Sequence, residues 1–217
     1  MSDTQKKQLN GINIAYRTDG KGKPLIMVHG NGEDKSIFDE LTLALVDRYT
    51  VYRIDSRCHG ESDSAKLSYD LIAEDVAEFI RALDLTDVTF LGFSDGGIVG
   101  LLLAIKYPEL IAKYYILGAN ANPKGLSKRA LRLYRIAYFF FRDPKIGLML
   151  KEPKITVEQL KAIKSECVII AGEKDLIRAE HTRMIAENIP NAKLIIMDGQ
   201  THTDYIVHSD KLKTVID

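Results

Sequence analysis

Gly92-Phe93-Ser94-Asp95-Gly96 directly follows the apolar run 88–91 and precedes a second apolar run at 98–107. A strand, a serine flanked by glycines and then a helix is the order typical of a nucleophile elbow, which holds a serine hydroxyl clear of the backbone. Glycines at the flanking positions let the helix fold back beside the strand without a side-chain collision. The pentapeptide also fits a plain glycine-rich turn, so its interpretation depends on the rest of the chain.

The bulk composition indicates a single globular domain over residues 1–217. Hydrophobic residues make up 46% of the chain and charged residues 28%, and the formal net charge is zero. A neutral chain gives no electrostatic reason to expect a nucleic-acid partner. The first ten residues are polar and no run is long and apolar enough to span a membrane, so we expect neither a signal peptide nor a membrane span. The two cysteines are far apart in sequence and are expected to be free thiols in a cytoplasmic protein.

Short apolar runs alternate with longer amphipathic segments along most of the chain. The patterns predict strands at 12–16, 24–28, 50–54, 88–93, 114–117, 168–171 and 194–197. They predict helices at 36–46, capped by Ser36, at 69–83, capped by Ser68, and at 98–107 and 180–189. Strand and helix in alternation predict an α/β fold with a mostly parallel central sheet covered by helices on both faces. Chemistry in such sheets collects at the carboxyl ends of the strands.

The segment 121–165 interrupts this alternation, because it is too long for a simple crossover between two strands. It holds eleven lysines and arginines against three acidic residues, and its central part, 130–141, is rich in Tyr and Phe. We interpret 121–165 as a helical insertion over the site.

Helical spacing divides the side chains of this insertion between two faces. Lys128, Arg132 and Arg135 share one face, which we expect to be solvated. Tyr134 and Tyr138 fall on a different face, which we expect to pack over the cleft and to line an apolar substrate pocket.

A serine nucleophile needs a base, and the base needs an acid that orients it. Asp175 follows the predicted strand 168–171, and His202 follows the next predicted strand, 194–197. The chain order of Ser94, Asp175 and His202 matches the order of catalytic residues in hydrolases of this architecture. These three residues are therefore the predicted catalytic group.

Other carboxylates and histidines are weaker candidates. Glu173 and Asp198 are closer to their strands, where the chain has not yet turned out of the sheet. His208 and His181 are expected to be solvated. Glu173 remains the next candidate for the acid if Asp175 is not the one.

An anionic tetrahedral intermediate also needs N–H donors fixed in advance. His29-Gly30-Asn31-Gly32 follows a buried strand, and its glycines allow the loop to curl with its amides pointing inward. We expect the backbone N–H groups of Asn31 and Asp95 to form this oxyanion hole. The carboxylate of Asp95 is free either to hold the loop or to contact substrate, and His29 is interpreted as a structural residue that ties loops together.

With these motifs in place, the chain resembles the α/β-hydrolase family over essentially its full length. Five segments carry the resemblance: 29–32, 55–62, 92–97, 172–175 and 199–202. The resemblance implies a triad of Ser94, Asp175 and His202, and it implies that 121–165 is a small helical cap. It also implies a structural loop at 55–62 in which Asp55 and Arg57 make polar contacts. Cys58 stands where the family usually has glycine, which raises the question of local backbone strain. Family members with aspartate at the elbow, the haloalkane dehalogenases and epoxide hydrolases, are excluded by Ser94.

The resemblance implies a serine hydrolase that cleaves a small ester through an acyl-enzyme. The alternatives are a carbon–carbon bond hydrolase or a cofactor-free perhydrolase of the same fold, and a non-catalytic member that only binds a ligand. We expect a small-molecule substrate and no cofactor or metal, because the five histidines show no ligand-like spacing with carboxylates.

Overall fold

The computed structural model describes residues 2–217, which form one eight-stranded sheet in the order β1-β2-β4-β3-β5-β6-β7-β8. The strands are β1 Gln5–Leu9, β2 Ile12–Gly20, β3 Lys23–Val28, β4 Tyr49–Ile54, β5 Val88–Phe93, β6 Ile111–Leu117, β7 Glu166–Lys174 and β8 Ala192–Thr201. The helices are α1 Asp39–Leu45, α2 Tyr69–Ala82, α3 Asp95–Lys106, α4 Lys128–Phe141, α5 Pro144–Lys151, α6 Val157–Ala162 and α7 Ala179–Asn188. Short 3-10 turns occupy Lys35–Phe38, Pro123–Gly125 and Lys211–Thr214.

The strands from β3 onward pair with one another in parallel, and β4 also pairs antiparallel with β2, which confirms the predicted α/β fold with a mostly parallel sheet. Both faces of the sheet are covered by apolar layers. One layer contains residues of α2, α3, α6 and α7, and the other contains residues of α1 and of the C-terminal segment 205–216. Coverage on both sides explains why β3 and β5 are continuous apolar runs whose side chains are almost all buried.

The antiparallel edge of the sheet was only partly predicted. β1 and β2 form a hairpin through Asn10 and Gly11, which have φ of 49° and 79°. Two positive φ values in a two-residue turn match the twist of the strands, and an Asn-Gly pair adopts them readily. The sequence did not indicate β1, because only Leu9 of its five residues is buried.

One predicted helix cap is confirmed and one is wrong. The Ser68 side chain accepts a hydrogen bond from the N–H of Leu71 and begins α2, as predicted. Ser36 does not cap a helix. Asp34 accepts from the N–H of Ser36 and starts a 3-10 turn, and α1 begins only at Asp39.

The insertion between β6 and β7 folds into α4, α5 and α6, in line with the expected helical content. Its base is tied to the main body, since the N–H of Ser127 donates to the carbonyl of Leu176 at 2.8 Å. α4 differs from the other two helices because none of its side chains is buried, whereas Leu148 of α5 and Leu160 of α6 are buried in the main core. The part of 121–165 that stands away from the core is therefore α4. None of the helices in residues 2–217 is long and apolar enough to cross a bilayer.

Candidate active site

Ser94 lies in the tight turn between β5 and α3. Its φ of 53° and ψ of −111° are unusual for a residue with a side chain, and such strain is characteristic of functional turns. A Cβ on Gly92 would collide with the carbonyl of Gly96, and a Cβ on Gly96 would collide with the carbonyl of Val28. The predicted elbow geometry is therefore present, and only glycine fits at its two flanking positions.

The structure brings Ser94, His202 and Asp175 into one hydrogen-bonded line. His202 Nε2 lies 3.0 Å from Ser94 Oγ, and His202 Nδ1 lies 2.7 Å from Asp175 Oδ1. Asp175 follows the end of β7 and His202 follows the end of β8, so parallel neighbouring strands deliver both side chains to the same edge of the sheet. Both side chains are nearly buried, with 3% of Asp175 and 11% of His202 exposed.

The Asp175 carboxylate is held by more than the imidazole. The N–H of Ile177 donates to Oδ1 at 2.9 Å and the N–H of Gly172 donates to Oδ2 at 3.3 Å. These donors fix the carboxylate in the orientation that meets His202 Nδ1. Since a carboxylate only accepts, the shared proton of this pair belongs on Nδ1, which leaves the Nε2 lone pair facing the Ser94 hydroxyl.

The His202 ring is confined on two further sides. The ring of Phe93 lies 4.9 Å away between centroids. Gly118, at φ 57°, runs so close to the imidazole that a Cβ there would lie 2.7 Å from Cε1. Gly118 is a positioning residue that sequence reasoning missed, because nothing in its local pattern indicates contact with a ring from the far end of the chain.

Asn31 and Asp95, the two predicted oxyanion donors, are joined to each other beside the nucleophile, since Asp95 directly follows Ser94 and its carboxylate contacts the Asn31 side chain. Among residues 2–217, neither backbone N–H donates to a protein acceptor. The Asp95 carboxylate accepts from the side-chain amide of Asn31 at 2.9 Å and from the hydroxyl of Tyr69 at 2.8 Å. Burial raises the pKa of Asp95 to about 6, although these two donors act in the opposite direction. Of the two roles left open for this carboxylate, the structure places it as an anchor for the loop.

Glu33 is a second carboxylate near the nucleophile that the sequence analysis did not single out. Its Oε2 accepts from the N–H of Gly30 at 2.9 Å, and Gly30 itself packs against Ser94 Cβ. Burial raises the pKa of Glu33, and His202 is close enough to oppose that shift electrostatically. Its position one residue after the Gly-Asn-Gly loop was the available signal.

His29 is fully buried beneath this loop. Its Nε2 accepts from the N–H of Ser56 at 3.1 Å, and its Nδ1 lies 2.8 Å from the carbonyl of Gly30. It therefore ties two loops together, as expected. Burial lowers the pKa of His29 to about 4, so the neutral imidazole is the form that fits this position.

The other candidates lie outside the hydrogen-bonded line. Glu173 accepts from the N–H of Gly199 at 2.8 Å, and Asp198 and His208 are exposed. The expectation for His181 was wrong, because it is buried and its Nε2 accepts from the N–H of Ala121 at 3.0 Å. The helix α7 packs this residue against the start of the insertion, which its local sequence does not reveal.

A cavity of about 610 Å³ lies beside the imidazole, between α4 and the loops that follow β7 and β8. Tyr134 lines it together with His202 and Asp175. Burial raises the pKa of Tyr134, with a smaller contribution from the Asp95 carboxylate. Tyr138 does not line this cavity. It packs over Gly147 of α5 instead, below the cations of Arg142 and Lys151.

The basic residues of α4 are distributed differently from the two tyrosines. Lys128, Arg132 and Arg135 are exposed, as expected, and do not line the cavity. Arg129, which the sequence analysis had not assigned to either face, does line it. Residues 2–217 contain no group of three or more His, Cys, Asp or Glu side chains arranged to hold a metal ion.

Residues 23–149 match the model of a family described as alpha/beta hydrolase fold. An uncharacterized protein of Mycobacterium tuberculosis (strain H37Rv) is 26% identical over 215 residues, which cover 98% of this chain and 59% of that protein. The chain therefore spans less than two thirds of the length of this relative. The serine hydrolase BPHL of Mus musculus is 25% identical over 98% of this chain and 84% of its own length.

Solved structures with the same fold include enzymes named for two different bonds. A meta-cleavage product hydrolase from Pseudomonas fluorescens IP01 superposes with a TM-score of 0.81 at 20% identity, over 98% of this chain and 95% of the other. A thermophilic esterase from Thermogutta terrifontis superposes with a TM-score of 0.81 at 21% identity, over 99% and 97%. At these identities the similarity establishes the fold.

Proposed function

The chain belongs to the α/β-hydrolase family, and on that premise we propose that it is a serine hydrolase that cleaves a small carboxylic ester through an acyl-enzyme on Ser94. The observation that carries the proposal is the continuous hydrogen-bonded line from Ser94 Oγ through the His202 ring to Asp175 Oδ1, with distances of 3.0 Å and 2.7 Å. The name of the mouse relative, a serine hydrolase, supports the nucleophile, and the esterase among the structural neighbours supports the bond.

Acylation begins with transfer of the Ser94 hydroxyl proton to His202 Nε2 as Oγ attacks the ester carbonyl carbon. Asp175 stabilises the imidazolium that forms, without taking the proton itself. The electron pair of the carbonyl double bond moves to its oxygen, and the N–H groups of Asn31 and Asp95 donate to this oxyanion. The strained turn at Ser94 holds Oγ at the distance that this transfer requires.

The tetrahedral intermediate then collapses and the carbon–oxygen bond to the leaving group breaks. The departing alkoxide takes the proton from Nε2 and leaves as an alcohol, while the acyl group remains on Ser94. A water molecule gives its proton to Nε2 and attacks the acyl carbon. A second collapse returns the proton to Ser94 Oγ and releases the carboxylic acid, so that one ester and one water become one acid and one alcohol.

Within this proposal, 121–165 is a cap, and α4 supplies the wall of the substrate cavity through Tyr134. The same catalytic group could attack a carbon–carbon bond flanked by carbonyls, which is the chemistry named for the Pseudomonas neighbour. A perhydrolase would use hydrogen peroxide in place of water at the acyl-enzyme. These alternatives all use Ser94 as the nucleophile. One test must therefore identify the nucleophile, and another must identify the type of bond that is cleaved.

A fluorophosphonate probe tests the nucleophile. Wild type and Ser36→Ala, a change in the distant 3-10 turn Lys35–Phe38, should be labelled equally, and Ser94→Ala should not be labelled. Equal labelling of Ser94→Ala would overturn the assignment and favour a ligand-binding protein. A panel of p-nitrophenyl esters and a vinylogous 1,5-diketone then tests the bond, since turnover of the diketone alone would replace the ester proposal by the carbon–carbon one.

A further inference from the structure

The helix α4 carries a patch of exposed apolar side chains. Five of them expose between 47% and 78% of their surface: Leu133, Ile136, Phe139, Phe140 and Phe141, which we call the α4 patch. Among residues 2–217, the other exposed large hydrophobic side chains are Leu43, at 63%, and Ile196, at 37%, and these two are single residues on other elements. Contiguous apolar surface of this kind marks a site of interaction, whereas single exposed residues do not.

The same helix is strongly basic. The segment 128–142 contains Lys128, Arg129, Arg132, Arg135 and Arg142 and no acidic residue, although the whole chain has zero net charge. Within the described part of the chain, none of these five cations forms an ion pair with a carboxylate. An apolar patch bordered by cations without carboxylate partners is complementary to a surface that has an anionic outer layer above an apolar interior.

We propose that α4 binds the surface of an anionic lipid bilayer. The α4 patch enters the boundary between headgroups and acyl chains, and the guanidinium groups reach the lipid phosphates. Arginine side chains suit this position because their apolar stems lie along the hydrocarbon while their charged ends stay in the headgroup layer. This is surface binding by a helix of 14 residues whose C-terminal end enters the interfacial layer, and none of the helices in residues 2–217 is long and apolar enough to cross a bilayer.

A second copy of the chain is a poorer occupant of this surface. A twofold dimer places the same patch against itself, so the cations of one α4 would face those of the other without an acidic partner. Like charges brought together in a desolvated contact are unfavourable. An anionic bilayer removes this repulsion and turns each of these cations into an attraction.

The end of the helix favours a lipid surface over a groove on another protein. Phe139, Phe140 and Phe141 are consecutive, so at about 100° per residue they project to three sides of the last turn. All three are exposed, by 66%, 71% and 78%. A groove covers one face of a helix, whereas the interfacial layer of a bilayer surrounds a helix end that dips into it.

Binding in this way brings the substrate cavity to the bilayer. Leu133 belongs to the α4 patch and also lines the cavity beside His202. Arg129 lines the same cavity. The wall of the cavity formed by α4 would then lie at the lipid surface. The proposal does not depend on the hydrolase activity, because it rests on the exposure and charge of α4 alone.

Vesicle flotation with the full chain tests the proposal. Vesicles of phosphatidylcholine alone should leave the protein in solution, and vesicles of equal phosphatidylcholine and phosphatidylglycerol should carry it. The double variant F139S/F140S should lose most of this binding, whereas Leu43→Ser, which removes an equally exposed hydrophobic side chain from α1, should keep it. The double variant R132Q/R135Q should bind about 25-fold more weakly, at about fivefold for each cation, while Arg183→Gln on α7 should bind as the wild type does.

Three results would overturn the proposal. The first is absence of binding to the anionic vesicles, and the second is binding that F139S/F140S and Leu43→Ser affect equally. The third is a dimer in analytical ultracentrifugation that F139S/F140S abolishes without any vesicle binding, which would assign the patch to a second copy. All substituted positions are exposed, and circular dichroism checks that the variants stay folded. Ser94→Ala should bind vesicles as the wild type does, so failure of the hydrolase proposal and failure of this one are separable.

Discussion

The side-chain amide of Asn31 donates a hydrogen bond to the carboxylate of Asp95 across 2.9 Å. These are the two residues whose backbone N–H groups we propose as oxyanion donors, and they belong to loops 64 positions apart in the chain. The contact ties one donor loop to the other, and Asn31 also donates to the carbonyl of Lys145 in α5 at 3.2 Å. The spacing of the two N–H groups is therefore set by side chains and not by the backbone alone.

Removal of this tie should reduce turnover more than binding. Asn31→Ala keeps the backbone N–H but frees the loop, and we expect kcat for a p-nitrophenyl ester to fall about tenfold to a hundredfold with little change in KM. Tyr69→Phe serves as the matched control, because it removes the other hydrogen bond to Asp95 and leaves the Asn31 contact in place. If the two variants lowered kcat equally, any hydrogen bond to the buried Asp95 carboxylate would matter as much as the Asn31 contact, and the link between the two loops would have no special role.

The orienting acid can be tested against its neighbour in sequence. Asp175→Asn should lower kcat by about ten-thousandfold, because an amide that donates to Nδ1 stabilises the tautomer with its proton on Nε2. Glu173→Gln should leave kcat unchanged, since Glu173 contacts only the N–H of Gly199 on that loop. A mild effect of Asp175→Asn combined with a large effect of Glu173→Gln would transfer the role to Glu173.

Most of the parallel sheet, and the meeting of Ser94, Asp175 and His202 at its edge, could be predicted from the sequence. The reason is physical: a strand buried on both faces is a continuous apolar run, and parallel strands end at a common edge. β1 could not be predicted, because an edge strand with one buried residue has no apolar pattern. Gly118 and His181 were missed because each acts through contacts with distant parts of the chain, whereas the signal for Glu33 was local, since it directly follows the Gly-Asn-Gly loop and contacts Gly30.

The insertion 121–165 shows a different limit. Tyr134 and Tyr138 are four positions apart and share a helix face, so periodicity could not separate them. The structure does, because Tyr134 lines the cavity and Tyr138 packs over Gly147. How a helix rolls against its neighbours depends on packing that local sequence does not contain, and the same is true of Arg129.

Tyr134 should set the preference for acyl chain length. Tyr134→Ala enlarges the cavity beside His202, and we expect the ratio of kcat/KM for long to short p-nitrophenyl esters to rise, by roughly tenfold, since the wall that limits chain length is removed. Arg132→Ala, on the exposed face of α4, should leave the ratio unchanged. A flat profile for Tyr134→Ala would place the acyl chain elsewhere.

Acidification should destabilise the fold through His29. Its folded-state pKa of about 4 lies below the usual value of 6.5, so the unfolded chain takes up a proton that the folded protein excludes. The stability that this neutral histidine contributes is complete above about pH 6.5 and is lost as the pH falls toward 4, a change of about 3 kcal/mol.

Denaturant unfolding between pH 7 and pH 4 measures this effect. His29→Gln should reduce the slope of the unfolding free energy against pH by up to about 1.4 kcal/mol per pH unit. His208→Gln, at an exposed position, should keep the slope of the wild type. An unchanged slope for His29→Gln would assign the acid sensitivity to the other buried groups, which include the neighbouring His59.

Cys58 lies in the loop 55–62, at a position where the resemblance leads us to expect glycine, and the structure shows what a side chain there involves. Its φ is 64°, in the left-handed region where glycine carries no penalty and a side chain does. Its N–H donates to the carbonyl of Asp63 at 3.0 Å, and its thiol lies 3.1 Å from the carbonyl of Ala65. These contacts hold the loop in place in spite of the strain.

Cys58→Gly should therefore stabilise the protein. Relief of the left-handed strain contributes about 1–3 kcal/mol, and the greater freedom of glycine in the unfolded chain, together with loss of the weak thiol contact, offsets about 1 kcal/mol of it. The net gain of about 1 kcal/mol is measurable as a higher midpoint in urea. Cys58→Ala is the matched control, because it keeps a Cβ at φ 64° and loses the thiol contact, so it should lower the midpoint. If alanine raised the midpoint as much as glycine does, removal of the thiol and not relief of backbone strain would be the cause.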